Sequence, residues 1–110
     1  MKNLENIMKV EQLENKNQFL MENDKMAIFQ SYDSIIAVYD KENDILTLGR
    51  DWDYSRTTTK HLYIYLNNIF EYRLSNLREN ILSALRTTNK RKAIQKLIDE
   101  NIIKYESELY

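Results

Sequence analysis

Residues 26–48 read MAIFQSYDSIIAVYDKENDILTL, and this stretch decides the fold. Runs of apolar, β-branched and aromatic residues at 26–29, 35–39 and 45–48 are divided by Ser31-Tyr32-Asp33-Ser34 and by Asp40-Lys41-Glu42-Asn43-Asp44. Short runs of this composition between Asx-rich turns predict an antiparallel meander. Ile45, Leu46, Thr47 and Leu48 cannot all face one side, so the strands are expected to be covered in part on both faces. Upstream, Phe19-Leu20-Met21 followed by the polar residues 22–25 adds a fourth short strand. The chain has no Pro and a single glycine, Gly49, so Asn, Asp and Ser must make the turns.

After Gly49 the period changes. Leu62, Tyr65, Leu66, Ile69 and Phe70 recur at spacings of three and four, and Asp53, Ser55 and Thr57 offer capping oxygens ahead of them. A second such set is Leu74, Leu77, Ile81 and Leu85, with Leu82 widening the stripe. These read as two helices, or as one kinked near 70–73. Thr87-Thr88-Asn89 is a further break and cap, and Ala93, Ile94, Leu97 and Ile98 form one face of another helix. Residues 102–109 suit a continuing helix or a strand by pattern, and the turn-like Asp99-Glu100-Asn101 favours a strand. Residues 1–17 are polar, with Leu4, Ile7, Met8 and Leu13 loosely helical, and read as an arm or short helix. The expectation is a single α+β domain over 18–110. A small antiparallel meander of about four short strands packs against two to three C-terminal helices, with a closing strand at the C-terminus.

A hydrophobic fraction of 43% and a charged fraction of 30% belong to a globular chain rather than a disordered one. The formal net charge of −1 carries neither the acidic excess of a DNA mimic nor the basic excess of a strong nucleic-acid binder. Without Cys there are no disulfides, thiolate metal sites or Cys nucleophiles. The first residues lack the apolar core of a signal peptide, and no run approaches the ~20 apolar residues of a membrane span, so a cytoplasmic protein is expected.

One Gly cannot build a glycine-rich phosphate loop. The lone His61 has no second His for a metal site, and Asp51 and Asp53, flanking Trp52, fall short of an oxygen cage for a hard cation. Asp53, Ser55 and residues 57–59 could serve a His61 base only if folding assembled them, and hydroxyls before a helix are usually caps. The expectation is therefore no enzyme, no cofactor and no small-molecule substrate.

Two surface features point to a macromolecular partner. Arg86, Lys90, Arg91, Lys92 and Lys96 place five positive charges in eleven residues with no acid among them. Lys90, Arg91 and Lys92 fall in a helix's first turn, where the dipole disfavours cations, so the sequence accepts an electrostatic cost there. Trp52-Asp53-Tyr54-Ser55-Arg56 sets Trp, Tyr and Arg, the residues enriched at binding hot spots, in one strand-to-helix connection. Trp52, Tyr54 and Arg56 are the expected anchors.

The stretch 29–66 carries F-x-S-Y-x-S-x-I-A (Phe29 to Ala37), then D-Y-S-x-T-T (Asp53 to Thr58) followed by Lys60-His61-Leu62. It resembles a small domain that recurs in uncharacterised proteins of phages, plasmids and other mobile elements of Firmicutes. The tail KAIQKLIDENIIKYESEL resembles that family's closing helix and strand, whereas residues 70–86 look inserted relative to its shorter pattern. Read physically, the motif's hydroxyls are junction caps, which speaks for fold rather than site. The resemblance implies a counter-defence protein acting in the bacterial cytoplasm. Its expected role is a type II-A anti-CRISPR protein that inhibits a Cas9 nuclease by binding it or its guide-RNA complex. The alternative is a nucleic-acid-binding accessory or regulatory protein using the basic helix.

Overall fold

The computed structural model describes the backbone of residues 9–12 and all of residues 17–109. Strands β1 (Lys9–Gln12), β2 (Gln18–Glu22), β3 (Met26–Ser31), β4 (Ser34–Asp40) and β5 (Ile45–Gly49) form an antiparallel meander. Helices α1 (Arg56–Phe70), α2 (Asn76–Leu85) and α3 (Lys90–Asp99) follow, and β6 (Lys104–Glu106) closes the six-stranded sheet parallel to β5. This is the expected α+β architecture with its closing strand. The helical segment after Gly49 is two helices, broken at residues 71–75. One difference lies at the start of the chain. Residues 9–12, read as part of an arm or short helix, are a strand paired in register with β2. Leu4, Ile7, Met8 and Leu13, on which the helical reading rested, lie outside the described residues.

Cross-strand register explains the core. Leu20 pairs Phe29, Phe29 pairs Ala37, Ala27 pairs Tyr39, and Tyr39 pairs Leu46, so these side chains share one face. Against that face α1 lays Leu62, Tyr65, Leu66, Ile69 and Phe70, all buried. Phe29 stacks on Tyr65 with ring centroids 5.6 Å apart, and Tyr39 meets Phe70 edge-on at 4.7 Å. Tyr65, fully enclosed, donates its hydroxyl to the Ala27 carbonyl at 2.7 Å, so its polar end is satisfied. Ile28 points to the opposite face and is also buried, flanked by its partners Met21 and Val38.

The register of β3 and β4 slips between Phe29 and Gln30, leaving Ile36 as an extra residue. Through this bulge both Ile36 and Ala37 enter the core, and the chain beyond is re-aimed. Asx chemistry makes the turns, as the scarcity of Gly requires. Asn23 Oδ1 accepts from the amides of Lys25 and Met26 at 2.8 and 2.7 Å, and Asp40 Oδ1 accepts from those of Glu42 and Asn43 at 3.0 and 3.1 Å. Ser55, Ser75 and Asn89 cap α1, α2 and α3, each accepting from the amide three residues on. Gly49 has no positive φ; its role is close approach. A Cβ there would lie 2.7 Å from the Ile35 carbonyl oxygen.

Candidate functional site

The connection from β5 to α1 turns twice, through Trp52 N to Gly49 O at 3.2 Å and Tyr54 N to Asp51 O at 3.1 Å. These turns send neighbouring side chains in opposite directions. Trp52 goes inward and is 3% exposed, part of the core. Its place as a contact anchor is therefore corrected: an indole beside the end of a sheet gains more from burial than from display. Tyr54 goes outward and is 79% exposed, and Arg56 is exposed on the first turn of α1.

Of the five expected cations, four lie on α3 and Arg86 at the end of α2, and two of them have partners within the chain. Arg91 Nε meets Asp53 Oδ2 at 3.0 Å, joining the start of α3 to the β5–α1 connection. Lys90 folds back and donates to the Thr87 carbonyl at 3.3 Å. Lys92 and Lys96 lie one turn apart on the exposed face of α3, and Arg86 is exposed at the end of α2. The Asp53 carboxylate, together with the Asn89 cap on Lys92 N, sets negative character at the start of α3 and offsets the misplaced cations of its first turn. Asp51 is occupied elsewhere, accepting from Ser34 Oγ at 3.3 Å. Among the described residues no three His, Asp or Glu side chains group where they could hold a metal ion.

What the fold does bring together is the two halves of the sequence motif. A cleft of about 580 Å³ opens between the β3–β4 turn and the first turn of α1. One wall carries Ser31, Tyr32 and Ser34, the other Tyr54, Ser55, Thr57 and Thr58, with Ile36 and Asp51 below. Tyr32 is 56% exposed and holds a φ of 55°, a left-handed conformation unusual for an aromatic residue. Its amide is tied to the Asn17 carbonyl at 2.7 Å, which helps to fix that geometry. Held strain of this kind gathers at binding sites. A second, smaller cleft shares Ser34 and Asp51 and continues past Arg50 to Ser107 and Leu109.

Beneath the first cleft lies buried polar chemistry. Ser31 Oγ and Thr58 Oγ1 are 3.4 Å apart, and Gln18 pairs with Ser31 across the strands on the same face. His61 sits one turn beyond Thr57, its Nδ1–H donating to the Thr57 carbonyl at 2.9 Å. Gln18, Ser31, Thr58 and His61 are all buried, and neither the Gln18 amide atoms nor His61 Nε2 has a hydrogen-bond partner. Among the described residues no hydrogen bond joins His61 to a hydroxyl.

Of the expected anchors only Tyr54 lines this cleft; Arg56 does not, and sequence reasoning did not group Tyr32, Ser31, Ser34, Thr57 and Thr58 with Tyr54. It read the hydroxyls as caps, which holds for Ser55, whose Oγ accepts from Thr58 N at 3.1 Å. The available signal was the clustering of hydroxyls in both motif halves, separated by a strand pair that could fold them together.

A family model described as a family of unknown function (DUF8033) matches residues 2–83. The match takes in the whole cleft and runs through residues 70–83, most of the segment read as an insertion, and it ends before α3. Neither a curated protein nor a solved structure gives a significant match.

Proposed function

The chain belongs to this family of unknown function, and we propose that it is a non-enzymatic binding protein whose contact surface is the Tyr32–Tyr54 cleft. On the resemblance to mobile-element proteins, its target is a type II-A Cas9 nuclease or that nuclease's guide complex, and its role is counter-defence in the bacterial cytoplasm. The observation that carries the binding reading is the display of two tyrosines on facing walls of one cleft, one of them on a left-handed backbone. Tyr offers broad, rigid contact area with a polar tip, and hydroxyls around it both donate and accept. Asp33 and Asp51 beside Arg50 give this end of the sheet mixed charge, which favours a protein surface over a phosphate backbone.

The test is a cleavage assay with purified Cas9, adding the protein before or after the guide RNA. Inhibition that is lost in both Tyr32→Ala and Tyr54→Ala, with circular dichroism unchanged, supports the reading. Full cleavage across several type II-A enzymes would remove the target, and inhibition that survives both substitutions would remove the cleft. A nucleic-acid partner is the second reading, favoured by Lys92 and Lys96 on one exposed helix face. It requires a mobility shift at low salt that fades steeply as salt rises.

A further inference from the structure

Gln18 opens β2 and pairs with Ser31 of β3, and Ser31 pairs with Ser34 of β4, so polar side chains stand in a row across the sheet. Two residues further along the same strands the pair is Leu20 and Phe29, both in the core. Ser31 and Ser34 line the cleft, where Ser31 Oγ meets Thr58 Oγ1 of α1 at 3.4 Å. Gln18 is the inner end of the row. It is 0% exposed, and neither its amide nitrogen nor its amide oxygen has a hydrogen-bond partner. His61 Nε2, about one turn along α1 from Thr58, lacks one as well.

Desolvated donors and acceptors left unpaired lower stability, and each calls for a reason. Methionine would fill the volume of Gln18 without that loss. Departures from packing rules of this kind gather where a chain gives up stability for binding. Between Gln18 and the cleft stands Ser31, and its contact with Thr58 is long for a pair of hydroxyls. Each hydroxyl turns about a single bond, so a ligand that offers Ser31 and Thr58 better partners can part them and reach the inner end of the row.

The chemistry of the row selects the occupant. Gln18 presents a donor and an acceptor on one planar group, and the hydroxyls of Ser31, Ser55 and Thr58 each donate and accept. The one carboxylate lining the cleft, Asp51, already accepts from Ser34 Oγ. A charged group would leave half of the Gln18 amide unpaired and would itself lose its hydration at this depth. Another carboxamide satisfies both halves, with an N–H donating to a carbonyl in each direction. We propose that the cleft recognises a carboxamide, the side chain of an Asn or Gln on the partner protein, which pairs with the amide of Gln18. This rests on the cleft being the contact surface and names the group that the cleft takes.

Nuclear magnetic resonance of the isotope-labelled chain, titrated with acetamide to about 500 mM because so small a probe binds weakly, tests this without a nuclease. The expected result is a saturable shift of the Gln18 side-chain NH2 resonance together with the backbone amides of Ser31 and Thr58. Acetate and methylammonium, which each lack one half of the pair, should bind at least about tenfold more weakly. In Gln18→Met the Ser31 and Thr58 shifts should vanish while circular dichroism is unchanged. No saturable shift in the wild-type chain, as when the row holds internal water alone, would overturn the proposal. So would an equal response to the two ions, or shifts that persist in Gln18→Met. A positive titration beside an uninhibited nuclease would remove the proposed target and keep the carboxamide site, so the two failures are distinguishable.

Discussion

Replacing Gln18 by Met should stabilise the protein, against the usual direction of core substitutions. Gln18 is fully enclosed at the start of β2, and both its amide nitrogen and its amide oxygen lack a hydrogen-bond partner. An unsatisfied buried polar group costs about 1–3 kcal/mol, and an apolar replacement of the same shape removes that penalty. Met matches Gln closely in length and flexibility, so the site should accept it without a cavity or a clash. The worked gain is about 1–3 kcal/mol in unfolding free energy, taking the two amide atoms as one group. For a domain of this size that is a rise in Tm of roughly 4–12 °C. Urea unfolding followed by far-ultraviolet circular dichroism would measure it, with the slope against urea expected to stay constant and the midpoint to rise. A loss of about 1 kcal/mol or more would refute the reasoning, since it would mean that the amide is hydrogen-bonded in solution.

Gly49→Ala should destabilise by about 1–3 kcal/mol, because its Cβ would stand 2.7 Å from the Ile35 carbonyl oxygen, a backbone atom that cannot swing aside. The urea midpoint measures this, and an unchanged midpoint would show that β4 and β5 part easily there. Burial, and then the hydrogen bond to Asp44, push the Tyr39 hydroxyl up from 10.0 to about 12. The unfolded chain loses this proton first, so the stabilisation is whole below pH 10 and declines as pH rises towards 12; Tyr39→Phe should flatten that decline in alkaline unfolding curves. Arg91→Ala should lower stability by no more than about 1 kcal/mol, because Arg91 in its bridge to Asp53 is 56% exposed, and the loss should shrink in high salt. A salt-independent loss would assign the contact to packing.

The fold was legible where period and turn chemistry agreed. β2 to β5, α1 and α3 fall on the expected runs because alternation and the three-to-four spacing are strong over those lengths, and Ser55 and Asn89 stand at the caps; Leu74, read on the apolar face of the second helix, instead precedes α2, which Ser75 caps, and is 97% exposed. β1 was not legible: its four residues, KVEQ, carry a single apolar side chain, and pairing with β2 decides their state. The candidate cleft was legible only in part. An exposed Tyr54 and a buried Trp52 have the same signature in sequence, because two tight turns separate them and sequence does not say which way each points. Tyr32 was hidden for another reason. Left-handed backbone is usually announced by Gly or Asn, and here Tyr occupies it.

The parallel strand β6 has a consequence for the order in which the molecule assembles. Every other pairing in the sheet joins neighbours along the chain, whereas Thr47 waits for Lys104, across the whole helical segment. Closing so long a loop is slow compared with zipping hairpins, so the meander should form while the outer edge of β5 still has open amides and carbonyls. During that interval the exposed edge is a template on which another unfolded chain can add a strand. Yield on refolding should therefore fall with concentration more steeply in variants that weaken β6 than in variants equally destabilised elsewhere.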